Sequence, residues 1–192
     1  MDTTNITTII IVAVIFLVIG GLLMMAVTRF QRTRRLKERF GPEYERMVGE
    51  AGDKNQAESE LEARLAHVEN LNIRTLTAEE MNRFALEWQS TQTEFVDHPL
   101  ASVQKADRLI REVMKAKGYP VEDFEQRAAD ISVDYPDLAM DYRGLHLIAV
   151  KEDEDQVSTE EMRQAMVHGR ALFENLVQQQ PNVEETNQKE LI

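Results

Sequence analysis

Four histidines stand apart in the sequence, at His67, His98, His146 and His168. Two of them border apolar stripes: His146 follows Tyr142 by four residues, and His168 lies between Ala165 and Leu172. If the helices that carry these two pack together, their rings converge with Glu125, Arg127 and Asp134 on a polar site beside Tyr142. Such a site would serve ligand binding or enzymatic chemistry, provided that the side chains point into a concave pocket. The competing reading is structural, because helical bundles place many polar side chains at the edge of the core with their hydrogen bonds satisfied. The established catalytic signatures are absent: there is no G-x-x-x-x-G-K, G-x-G-x-x-G, H-E-x-x-H or G-x-S-x-G, and no pair of histidines at i,i+4. With no cysteine, disulfides, thiolate metal sites and cysteine nucleophiles are excluded together. The acidic stretch 151–157 is not a calcium loop, since with Asp153 as first ligand the required glycine falls on Ser158 and the bidentate glutamate on Gln164. No cofactor and no metal are expected. The first reading is therefore a non-enzymatic protein, and the alternative is a ligand-binding or enzymatic site at Glu125, Arg127, Tyr142, His146 and His168.

The elements that must position these residues read as helices. Thr77 and Glu80 form a capping box ahead of an apolar stripe of Met81, Phe84, Trp88 and Phe95. Ser158 and Glu161 form a second, ahead of Met162, Ala165, Met166, Gly169, Leu172, Phe173 and Leu176. Asp53 starts a helix to about Leu71, and Pro99 starts one that Gly118 ends. That helix is locally basic, with Lys105, Arg108, Arg111, Lys115 and Lys117, and is read as packing within the acidic body. A short helix led by Pro42 and broken at Gly49 and Gly52, and helices over 121–132 and 136–150, complete the set. The fold class expected is all-α, a soluble multi-helix domain over 41–178, with a disordered polar tail over 179–192. A body of that size buries about two-thirds of its surface, enough for its own core.

The amino-terminal part differs in composition. From Ile6 to Val27 no residue is charged, and such a helix is about 33 Å long, against about 30 Å for a hydrocarbon core. A cleaved signal peptide would have a basic start and a small-x-small site, and neither is present. The expectation is a retained transmembrane helix over 6–28. Arg29, Arg32, Arg34, Arg35, Lys37 and Arg39 follow it in a basic juxtamembrane helix over 29–40. No basic residue precedes it, so the charge rule puts residues 1–5 outside and the domain in the cytoplasm. Those six cations are the expected contacts to anionic lipid head groups. The whole chain has 192 residues and a net charge of −12, divided as +4 over 1–40 and −16 over 41–192. A body of that sign does not suit nucleic acid, because phosphate contacts need a positive surface.

Several short patterns carry a resemblance. Arg39-Phe40-Gly41-Pro42-Glu43-Tyr44, Gly118-Tyr119-Pro120 with Asp123-Phe124-Glu125-Gln126-Arg127-Ala128, Tyr142-Arg143 with His146, and Arg163 through His168 together resemble an uncharacterised family of bacterial single-span membrane proteins. The resemblance implies a bacterial inner-membrane protein and transfers no catalytic residue. Together these readings make the chain a membrane-anchored helical interaction or adaptor protein, which recruits an unknown protein partner to the cytoplasmic face of the membrane. A lipid- or envelope-stress-sensing component is the other alternative. The oligomeric state is left open.

Overall fold

The computed structural model describes the backbone of residues 3–178 and the side chains of residues 16–178. Within them lie eight α-helices and no strand: α1 (Thr3–Phe40), α2 (Pro42–Ala51), α3 (Lys54–Glu69), α4 (Ala78–Glu94), α5 (Pro99–Lys117), α6 (Phe124–Asp134), α7 (Ala139–Ala149) and α8 (Thr159–Gln178). The all-α expectation for the body is met. The tail expected over 179–192 lies outside the described residues.

Local chemistry sets the helix ends. Both halves of the Thr77–Glu80 capping box form, and so do both halves of the Ser158–Glu161 box. The Asp53 side chain accepts from the Gln56 amide and Asp123 from the Gln126 amide, which supplies partners for otherwise orphaned donors of α3 and α6. α6 thus begins at Phe124, three residues later than the apolar pattern suggests, because Asp123 is its cap. The segment 136–150 divides into a single 3-10 turn, Pro136–Leu138, and α7. Gly118 ends α5 at φ 100°, and a Cβ there would meet the Asn72 carbonyl oxygen at 2.6 Å. The segment between α3 and α4 is held to the end of α5 as the Arg74 N–H donates to the Lys117 carbonyl at 2.8 Å.

α5 is the central helix, packed against α4, α7 and α8, and of its cationic side chains Lys117 is buried, where it donates to the Leu176 carbonyl at 2.9 Å. The main core gathers Phe84 and Trp88 from α4, Val103, Ile110 and Met114 from α5, Tyr142 and Leu145 from α7, and Leu172 and Phe173 from α8. Trp88 stacks on Phe173 with ring centroids 4.7 Å apart. A second, smaller cluster joins Leu36 and Phe40 of α1 to Tyr44 and Met47 of α2, Ala57, Leu61 and Val68 of α3, and Val133 of α6. The carboxy-terminal end of α1 is therefore part of the body, with Leu36 and Phe40 fully buried.

The expected transmembrane helix over 6–28 is corrected by the structure. Among the described residues no helix is long and apolar enough to cross a membrane. Positions 6–15 of the expected span lie outside the described side chains. The single-pass topology, the external amino terminus with a cytoplasmic domain, and the inner-membrane location were all drawn from that span and are withdrawn with it.

Two substitutions test this architecture. Gly118→Ala is expected to lower the unfolding free energy by at least about 1–2 kcal/mol, the cost of a left-handed non-glycine residue before the clash is added. Phe40→Ala is expected to cost about 3–5 kcal/mol by emptying the smaller cluster. Urea denaturation followed by circular dichroism measures both.

Candidate functional site

α6 and α7 bring three of the expected site residues together. Arg127 is buried on α6, donates from Nε to the Tyr142 hydroxyl at 3.0 Å and from a terminal nitrogen to the Val121 carbonyl at 2.7 Å. Its guanidinium lies 5.6 Å from the centre of the Phe124 ring. The His146 ring stacks on Phe124, centroid to centroid 3.7 Å, and its Nδ1 is 3.1 Å from Asp107 Oδ1 on α5. Burial pushes the Tyr142 hydroxyl above its ordinary pKa, and the hydrogen bond from Arg127 opposes that shift. Phe124 is thus the hub of a closed set in which each polar group has a partner within the fold.

The other expected members lie elsewhere. His168 on α8 sets Nδ1 2.7 Å from Asp141 Oδ1 and Nε2 3.1 Å from Gln164 Nε2. Glu125 is exposed and accepts from Arg143 at 2.9 Å. Asp134 accepts from the Tyr119 hydroxyl at 2.5 Å and stands 3.9 Å from Arg39. Among the described residues no hydrogen bond or ion pair joins His146 to His168. The two histidines each tie a pair of helices, α5 to α7 and α7 to α8, instead of sharing one site.

The basic residues of α1 also meet carboxylates of the chain. Arg32 binds Glu62 through two nitrogens at 2.9 and 2.7 Å, and Arg35 lies 3.6 Å from the same residue. Arg34 pairs with Glu38 and Lys37 with Glu45, both at 2.8 Å, while Arg29 is exposed. Exposed ion pairs are weak, so the burial of Leu36 and Phe40 is what seats α1.

A polar centre that sequence reasoning missed lies nearby. Glu43 on α2 is fully buried and receives three arginines from three helices. They are Arg46 of α2 at 2.6 Å, Arg64 of α3 at 3.0 Å and Arg143 of α7 at 3.4 Å. Burial alone would raise the Glu43 carboxyl, but the hydrogen bond from Arg46 and the charges of Arg46, Arg143 and Arg64 hold it below the usual carboxylate range. The only local signal was the i,i+3 spacing of Glu43 and Arg46. Close by, Glu58 accepts from Thr33 at 2.7 Å and from Tyr44 at 2.9 Å, and burial beside that carboxylate pushes the Tyr44 hydroxyl up to about 12.

Above Glu43 opens a cleft of about 620 Å³ between α2, α3 and the start of α6. Arg46, Met47 and Arg64 line it together with His67, Glu125 and Gln126. Of the expected site residues, Glu125 alone reaches it. Among the described residues no group of three or more histidine, aspartate or glutamate side chains is arranged to hold a metal ion. The chain matches no family model, no curated protein and no solved structure.

The acid limb of stability tests the buried centre. Because the folded-state pKa of Glu43 lies below its unfolded value of about 4.3, its contribution is complete above that pH and is lost as pH falls through the folded value. Glu43→Gln is expected to cost about 3 kcal/mol at neutral pH by leaving arginines without their buried counter-ion. It should also flatten the fall of unfolding free energy below about pH 4.3, as read by denaturant titration across that range.

Proposed function

We propose that the protein is a helical interaction module, an adaptor whose projecting amino-terminal helix engages apolar helices of a partner protein. One observation carries this reading. From Phe16 to Phe30, α1 exposes large apolar side chains on all sides, with Phe16, Leu17, Met24 and Phe30 each 70% or more exposed. A helix that is apolar all round is buried in its working state, and an exposed apolar patch of this extent marks a place of contact. Among the described residues the body meets α1 only from Arg32 onward. The closed hydrogen bonding of Arg127, Tyr142 and His146 supports the same reading, because it assigns those residues to holding helices together.

A photoreactive amino acid at Leu22 or Leu23 of the full chain, with Leu86 on the body as the control position, tests this in cells. The expected result is one discrete polypeptide, different from the chain itself, captured at both α1 positions and not at Leu86. Capture of lipid alone, of a second copy of the chain alone, or of nothing would overturn the proposal.

A further inference from the structure

The cleft between α2, α3 and α6 carries a second proposal, which concerns a different surface and stands whether or not α1 has a protein partner. Its floor is cationic in composition but not in effect. Arg46 is held by Glu43 at 2.6 Å and by Glu50, and Arg64 by Glu43 at 3.0 Å and by Glu60 at 2.9 Å. Counting Asp123 and Glu125 with Glu43, Glu50 and Glu60, five carboxylates stand against the three guanidinium groups of Arg46, Arg64 and Arg143, the last of which pairs with Glu43 and Glu125, so the cleft keeps a net negative charge of two. The local field therefore favours an incoming cation.

Behind the wall stands an unfinished acceptor. Asp130 on α6 is fully buried. Its Oδ1 accepts from Gln126 Nε2 at 2.8 Å and lies 3.6 Å from His67 Nε2, and both of those side chains line the cleft. Its Oδ2 has no hydrogen-bond partner. A buried carboxylate oxygen without a donor is costly, on the order of 1–3 kcal/mol or more, and burial raises the pKa of this carboxyl accordingly. His67 and Gln126 are both exposed, and they are the cleft-lining side chains that stand against the buried carboxyl.

We propose that this cleft receives a basic side chain, guanidinium or ammonium, from a partner polypeptide, and that its N–H donors complete the carboxyl of Asp130 while the acidic rim holds the neighbouring peptide. A volume of about 620 Å³ exceeds what one side chain needs and leaves room for flanking residues of an extended segment. A guanidinium fits best, because it offers several donors in a fixed fork that matches a carboxylate.

The test uses the full chain at 0.15 M ionic strength, where diffuse attraction to the acidic body is screened. The probe is an acetylated and amidated hexapeptide of alternating arginine and glycine, followed by titration calorimetry and by NMR of the His67 and Gln126 side chains. Spermidine and an alternating glutamate–glycine hexapeptide are run beside it. The expected result is saturable binding at one site that shifts His67 and Gln126, with affinity at least tenfold weaker in Asp130→Asn and in Ala63→Trp, which fills the cleft from α3 without touching the buried carboxyl. The glutamate peptide should not bind. Unsaturable binding, or binding unchanged in both variants, would show attraction to the acidic surface at large and overturn the site. Spermidine binding as tightly as the peptide would overturn the polypeptide assignment. If Asp130→Asn fails to fold, Ala63→Trp decides alone.

Discussion

A single buried carboxylate holds the two parts of this fold in register. Glu43 sits at the foot of α2 with arginines from α2, α3 and α7 around it, so the smaller apolar cluster is tied to the main bundle through charge as well as through α6. An ion set of this kind is poor evidence of net stability, because desolvation offsets much of its attraction. Its value is geometric. Apolar surfaces slide over one another at little cost, whereas a buried carboxylate with three guanidinium partners tolerates one arrangement of the helices that bring them. The cleft above it inherits its shape from that arrangement, since Arg46 and Arg64 form its floor.

The same constraint explains how α1 joins the body. Leu36 and Phe40 enter the cluster that α2 and α3 build around Tyr44, and Arg32 and Thr33 reach Glu62 and Glu58 of α3. The basic stretch that looked like a free collar in the sequence is largely spent on carboxylates of the chain. Among the described residues, the part of α1 beyond those contacts exposes chiefly apolar side chains, with Arg29 at its edge.

Much of the secondary structure was legible because its signals are local. Thr77 with Glu80, Ser158 with Glu161, Asp53 and Gly118 each act within four residues, so sequence alone places them, whereas the Asp123 cap was passed over and the start of α6 set three residues early. The candidate site was not, because it depended on how α7 and α8 are rotated about their axes. Asp107 on α5 pairs with His146 and Asp141 on α7 pairs with His168, two separate contacts that no spacing within one helix records. Glu43 was hidden for the same reason: two of its three partners are distant in sequence, and a glutamate in an acidic, proline-led helix reads as a surface residue. The transmembrane expectation rested on counting uncharged positions from Ile6 to Val27, whereas among the described residues no helix is long and apolar enough to cross a membrane.

Native-state hydrogen exchange on the full chain, compared with Glu43→Gln, tests the role of that carboxylate most directly. If Glu43 fixes α2 and α3 against the bundle, the variant should speed exchange at the amides of α2, α3 and the end of α1 as one cooperative unit and leave α5 and α8 protected as before. Equal acceleration throughout the body, or protection unchanged in α2 and α3, would contradict the account.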